Sequence, residues 1–222
     1  MCGFFFQRLI DIVPLFVRGA LRSGAVSGLG ILFATVLGFL MGMMRGSQNK
    51  LLAGIIGVYV AVIRGTPFVV QIFIVFFIFP EWGIQLEAFP AAVLALSILG
   101  TAFICEIVAG GIKAVDRGQW EAAASSGLTL VQQLRFVILP QALQTILPPL
   151  VGQYVLMVKD SSVVSVIGVV ELTRVGWVTV VRIPEGLMVF SLVGLFYFVI
   201  CYPMIRLSNT LERKFALGEM RL

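Results

Sequence analysis

Two adjacent residues of opposite charge, Lys159 and Asp160, interrupt an otherwise apolar stretch, with Gln153 before them and Ser162 just after. Charges at membrane depth are costly, and they face a cavity or a partner. A zwitterionic ligand has an ammonium that Asp160 could accept from and a carboxylate that Lys159 could attract. Adjacent residues point about 100° apart on an α-helix. Both can therefore face one ligand only where the helix unwinds, and Ser161-Ser162 is compatible with such a break. The alternative is an internal salt bridge that holds helices or subunits together, and the residues leave both roles open. Gln153 lies seven positions before Asp160 and shares its helix face. Gln71, one turn beyond Thr66-Pro67, is a further cavity candidate. Glu106 is a structural or gating candidate that could reach water or pair with Arg64.

Other chemistry is missing. The chain has no histidine, which removes the usual proton relay, metal ligand and nucleophile–base dyad. Cys2, Cys105 and Cys201 show no metal spacing. No GxxxxGK[ST] sequence occurs, so ATP is not bound by that route. These absences point to no resident cofactor and no enzyme. The formal charge of +5 is better read as basic loops beside a membrane than as a nucleic-acid surface.

The elements that must position these residues are set by composition. Of 222 residues 59% are hydrophobic and 12% charged, and the mean hydropathy is +1.05. Soluble domains carry about 25% charged residues, so this chain could not cover a water-facing surface. Uncharged runs at 23–44, 88–105, 136–158 and 186–205 are long enough for a hydrocarbon core that needs about 20 helical residues. Backbone groups in lipid must be satisfied internally, and the alternation of barrel strands is absent, so helices are expected. The reading is an all-α membrane protein with five transmembrane helices at 20–44, 66–80, 88–112, 147–168 and 186–207. One domain covers 1–222, with a core of about 20–215. Arg45-Gly46-Ser47-Gln48-Asn49-Lys50 reads as a polar turn. Residues 51–63 read as interfacial or as the start of a tilted second helix broken at Thr66-Pro67.

Five helices place the termini on opposite sides. One side carries Arg45, Lys50, Lys113, Arg117, Arg135, Arg206, Arg213, Lys214 and Arg221; the other carries Arg8, Arg18, Arg22, Arg174 and Arg182. Positive-inside then predicts an external N-terminus and a cytoplasmic C-terminus. The basic segment 1–19 could be an amphipathic helix on the outer surface. Gly38 and Gly42 form a GxxxG spacing, which allows close helix approach but is weak evidence for a dimer face.

The loop at about 113–140 is then cytoplasmic, and a loop this long usually has a job. Residues 119–126 favour a short helix, with Gly127 as its stop. A second helical piece, 130–139, is expected to end at Pro140. Glu121-Ala122-Ala123, the following Gly127 and the closing Ile138-Leu139-Pro140 resemble the EAA loop of bacterial ABC importer permeases. Tyr59 through Arg64-Gly65-Thr66-Pro67 to Gln71, Gly118-Gln119-Trp120, Lys159-Asp160-Ser161-Ser162 and Glu171-Leu172-Thr173 are similar to the polar amino acid branch of that family.

The resemblance implies a MetI-like permease fold in a bacterial inner membrane. It implies that Glu121, Ala122, Ala123, Gly127, Leu139 and Pro140 couple the chain to an ATPase. It leaves Gln71, Gln153, Lys159, Asp160 and Ser162 as substrate-cavity candidates. Expected partners are two cytoplasmic ATPase subunits, which would bind ATP and Mg, a second permease subunit (identical or related), an external solute-binding protein, an amino acid and membrane lipid. Ser97-Ile98-Leu99-Gly100-Thr101-Ala102-Phe103 departs from the family, which more often has Asn, Ser-Gly-Ala and Tyr in this stretch; cavity polarity would change if these residues line it. Gln153, being uncharged, favours a neutral or acidic amino acid. The competing readings are an ion-coupled transporter or channel, and a scaffold that recruits a cytoplasmic partner.

Overall fold

The computed structural model describes residues 2–46, 50–182 and 185–219, with side chains described for 12–46, 50–182 and 185–215. Among them there are helices and no strands. In chain order these are α1 (Cys2–Gly46), α2 (Lys50–Gly65), α3 (Phe68–Phe73), α4 (Ala88–Ala114), α5 (Arg117–Ser125), α6 (Leu130–Gln133), α7 (Leu139–Asp160), α8 (Leu172–Arg182) and α9 (Gly186–Glu219). A π-helical turn (Ile74–Ile78) and a 3-10 turn (Phe79–Trp82) prolong α3, a second π-helical turn (Leu134–Ile138) joins α6 to α7, and a 3-10 turn (Val163–Ile167) follows α7.

Among the described residues four helical runs are long and apolar enough to cross a membrane: 12–46, 88–114, 130–167 and 186–215. A fifth is available if α2 and the α3 segment, bent by 105° at the Thr66-Pro67 break, count as one. The five-span reading of the sequence fits that count, and the expected break is where the bend falls.

Several boundaries differ from expectation. The N-terminal segment is not a separate surface helix in its backbone, because α1 runs unbroken from Cys2 and buries Phe16 completely. Pro140 does not end the second helical piece. It sits at the second position of α7, and the π-helical turn before it shifts the carbonyl register that its ring would otherwise strike. The helical run that holds the fourth span therefore begins at Leu130, before the span itself, and Pro148 and Pro149 lie inside the run. Residues 172–182, assigned to no element, form α8. The polar turn at Ser47-Gln48-Asn49 and the charges of Arg8 and Arg221 lie outside the described residues.

The chain divides into two compact units, each fed by segments of α1, α4, α7 and α9. In the first (1–32, 66–97 and 156–203), Phe16, Leu172, Val175, Val189 and Val193 form a core cluster, and α3 packs on the 3-10 turn after α7. In the second (33–65, 98–155 and 204–222), Ile56 and Val60 of α2 pack on Ala102 and Cys105 of α4. In this second unit the glycine spacing on α1 has an intramolecular use. A Cβ at Gly38 would lie 2.7 Å from Ile104, and one at Gly42 2.6 Å from Val108, so α1 meets α4 at a distance that only glycine permits.

Candidate functional site

The candidate coupling segment is built in the second unit and both its ends are closed. Asp116 caps α5, its Oδ1 accepting from the Gly118 N–H at 2.7 Å. At the other end Gly127 takes φ +74, the Gly127 N–H bonds to Ala124 O at 3.0 Å, and the Leu128 N–H bonds to Ala123 O at 3.3 Å. This is a Schellman termination, so the stop expected at Gly127 is present with its physical cause. Thr129 and Gln132 form a capping box that starts α6 at once. The result is a short helix held between two tight corners.

On that helix Ala123 is buried, whereas Glu121, Ala122, Ala124 and Gly127 are exposed. Glu121 Oε1 accepts from Arg117 Nε at 3.0 Å, in an exposed i,i+4 pair. Such a pair contributes at most about 0.5 kcal/mol, so Glu121 is not fixed by need within this chain. The inner side is tied down: Gln141 Nε2, in the first turn of α7, donates to Gln119 Oε1 at 3.2 Å and to Val137 O at 2.9 Å. Leu139 is half-buried and Pro140 exposed at the junction where the π-helical turn becomes α7. A small-residue face is thus presented outward, and its other side is bonded to a long apolar helix.

The cavity candidates divide between the units. Gln71, Lys159, Asp160 and Ser162 belong to the first, and Gln153 to the second. α7 ends at Asp160 and the chain turns at Ser161-Ser162, so Lys159 and Asp160 both lie in the last turn of the helix and the break falls just after them. The turn is closed by Ser161 N–H to Met157 O and Ser162 N–H to Lys159 O, both 3.0 Å, with the Ser161 hydroxyl on Val158 O at 2.7 Å. Lys159 is exposed, Asp160 and Ser162 half-buried, and no ion pair between Lys159 and Asp160 is formed among the described residues. Gln153 is buried at 5% exposure. Gln71 is also buried, and its Nε2 donates to Thr66 O at 3.2 Å and Thr66 Oγ1 at 3.0 Å. Its amide supports the bend between α2 and α3.

Glu106 pairs with Arg64 at 3.6 Å, as one of its open readings had it, and also with Arg45 at the end of α1. Arg64 lies over the Phe103 ring at 5.2 Å. One carboxylate thus gathers the ends of α1 and α2 onto α4.

A second polar cluster was missed. Glu171 is fully buried at the N-cap of α8, in the first unit. Its carboxylate accepts from the N–H groups of Thr173 at 2.8 Å and Arg174 at 2.7 Å, from Ser23 Oγ at 3.2 Å and from Tyr197 OH at 3.0 Å. Ser23 Oγ in turn accepts from the Leu172 N–H at 3.1 Å. The first three N–H groups of α8 are therefore all met by side chains, with α1 and α9 bound into the same knot. Burial pushes the Glu171 carboxyl above the ordinary carboxylate range, and the hydrogen bonds from Thr173, Arg174, Tyr197 and Ser23 oppose that shift. The signal available was weak: an acidic residue near a helix start, where the helix dipole favours negative charge, but not one of the usual capping types.

The all-helical fold and the spans agree with what the chain resembles. Residues 34–217 match the family described as binding-protein-dependent transport system inner membrane component, and the chain belongs to it. That family comprises membrane-spanning permease subunits of ABC importers, which work with an ATPase and a binding protein, so the chain is a multi-pass inner-membrane protein. The chain is similar to the L-cystine transport system permease protein TcyB of Bacillus subtilis, 34% identical over 202 residues, covering 90% of this chain and 86% of that one. It is similar to the glutamine transport system permease protein GlnP of Escherichia coli K12, 35% identical over 204 residues, covering 91% and 93%. Among solved structures, an amino acid ABC transporter with histidines matches with TM-score 0.80 and 33% identity over 98% of each chain. An inward-facing MetNI methionine ABC transporter matches with TM-score 0.77 over 92% of this chain and 98% of that one; at 21% identity it speaks for the fold alone.

Proposed function

We propose that this chain carries a polar amino acid across the bacterial inner membrane by alternating access, driven by a separate ATPase that docks on α5. The observation that carries the reading is the architecture of α5. It is closed at both ends, exposes Glu121, Ala122 and Gly127, and is bonded to α7 through Gln119 and Gln141. A helix of small residues can enter a groove deeply. Force on it passes to α7 through the Gln119–Gln141 bond, the buried Ala123 and the Leu139-Pro140 junction.

In this reading the N-terminus is external and the C-terminus cytoplasmic, which places α5 and α6 in the cytoplasm. The functional unit contains two ATPase subunits, two permease subunits (identical or related) and an external solute-binding protein. ATP and Mg belong to the ATPase; this chain holds no cofactor and catalyses no bond-making step. Lys159, Asp160 and Ser162, at the end of α7, are the groups that meet the two charges of the amino acid backbone, with Gln153 and Gln71 as further cavity positions. The relatives named for glutamine and L-cystine support a polar amino acid as cargo.

The test is reconstitution of the permease with its ATPase and binding protein in liposomes. Glu121→Lys is expected to insert normally and to lose coupling, with uptake falling at least tenfold while ATP hydrolysis no longer follows the loaded binding protein. Uptake at the wild-type rate in that variant would remove α5 from the mechanism.

A further inference from the structure

The push proposed for α5 has to cross α7, and α7 is interrupted on the way. Pro148 and Pro149 stand in succession inside it. A proline within a helix offers no N–H to the carbonyl four residues back, and its ring crowds that oxygen. Gln144 O and Thr145 O therefore each lose their regular donor, and two neighbouring rungs of the ladder are missing. Single prolines, Pro14 and Pro203, interrupt α1 and α9. Among the described residues only α7 carries two side by side. Gly152, a turn beyond, adds a residue of low helix propensity.

The surroundings leave this point room and give it one tie. Gln144, Thr145, Pro148 and Pro149 line a cavity of about 540 Å³ within the second unit, with Glu212 and Phe215 of α9 among its other walls. The bend of α7 can change there without striking a packed core. The tie comes from α9. Ser208 Oγ donates to Pro148 O at 3.0 Å, and a Cβ at Gly152 would lie 3.9 Å from the same hydroxyl oxygen. The bond thus reaches the ladder where the ladder is weakest.

Two parts of α7 meet at this point. Before it lies Gln141, bonded to Gln119 of α5; after it come Gln153 and, at the helix end, Lys159 and Asp160. A continuous helix would move both parts as one rod. A helix with two rungs missing can turn its ends differently, and hinges are a few residues that absorb such a change.

We propose that Pro148-Pro149 is the hinge of the transport cycle and that Ser208 is the positioning residue that holds it at one angle. The inference rests on the coupling reading of α5 and supplies the place where the push becomes a change of shape. Ser208 touches no substrate in this role; it acts through the Pro148 carbonyl.

Pro149 is exposed, so replacing it by Ala restores an N–H for Thr145 O and opens no buried cavity. The experiment uses the whole importer complex in nanodiscs and liposomes. Amino acid uptake and ATP hydrolysis are read together, and amide hydrogen exchange is read over residues 146–153. Pro149→Ala should slow that exchange about tenfold, because local opening loses a restored rung. It should keep the thermal midpoint at or above that of wild type and lower uptake per ATP hydrolysed about fivefold. Ser208→Ala should speed exchange at Gly152 and lower uptake per ATP about threefold, and Ser208→Thr, which keeps the hydroxyl, should restore both. Wild-type uptake per ATP in Pro149→Ala overturns the hinge, as does unchanged exchange. A lowered midpoint would make Pro149 a packing residue and overturn it as well. Ser208→Ala equal to wild type, or Ser208→Thr as impaired as Ser208→Ala, overturns the positioning role. A wild-type complex that hydrolyses ATP without uptake would count against the coupling reading, and the exchange measurement would still decide the hinge.

Discussion

Replacing Glu171 by Ala tests whether the buried knot at the start of α8 stabilises the first unit. The substitution leaves the Thr173 and Arg174 N–H groups without their acceptor and removes the partner of the Ser23 and Tyr197 hydroxyls. A buried donor left unsatisfied costs about 1–3 kcal/mol, and loss of an N-cap about 1 kcal/mol within that same sum. The hydroxyls can rotate to other acceptors, so the two backbone groups dominate and the loss should be about 3 kcal/mol. Glu171→Gln keeps an acceptor oxygen for one of the two N–H groups and can turn its NH2 toward the hydroxyl oxygens, so only one N–H loses its acceptor and the loss should be nearer 1 kcal/mol. Unfolding of the purified chain in detergent, followed by tryptophan fluorescence, reads both variants. The pH dependence supplies a second check. The folded-state pKa of Glu171 is raised, so the folded chain holds the proton at pH values where the unfolded chain has released it. The stability from that proton is complete below the ordinary carboxylate pKa and is lost as pH rises through the folded one. Glu171→Gln should abolish this slope. An Ala variant as stable as wild type, or a slope unchanged in the Gln variant, would refute the assignment.

Gly42→Leu should cost more than the usual 1–3 kcal/mol of overpacking, because even its Cβ would meet Val108 at 2.6 Å; normal expression and thermal stability of that variant would contradict the α1–α4 contact. Arg45→Met removes one of the two cations on Glu106 and leaves Arg64 at 3.6 Å, so the expected loss is about 1 kcal/mol, read by thermal unfolding and reduced in the double variant with Glu106→Gln. Asp160→Asn should raise the KM for amino acid uptake about tenfold with insertion intact, as expected when a charge-assisted hydrogen bond to an ammonium becomes neutral; unchanged kinetics would exclude Asp160 from the pocket.

Much of the fold was legible because bilayer solvent imposes a simple rule: apolar runs of sufficient length become helices. That rule located α4 almost to the residue, and it failed where it does not apply. Pro140 looked like a terminator because proline normally is one, but a π-helical turn placed directly before it removes the clash. α8 went unseen because a helix of 11 residues is too short to register as a span, and Glu171 is not among the residue types that advertise an N-cap. Gly127 was legible for the opposite reason: a left-handed stop after a helix-favouring run has few other readings.

The cavity residues were harder to read because sequence gives depth and helix face but not which groups another element already uses. Gln71 shows the difference: its position one turn past the break suggested a cavity, and its Nε2 is bonded to Thr66 at the break itself. Lys159 and Asp160 show the same limit. Their adjacency was the argument against a shared ligand on a continuous helix, and that argument stands, because α7 includes both residues and ends only at Asp160. The two side chains leave the last turn about 100° apart, and no ion pair joins them among the described residues. Charged groups near hydrocarbon are expensive unless water, a partner or a ligand meets them, so an exposed Lys159 beside a half-buried Asp160 is the pair around which the cavity is proposed.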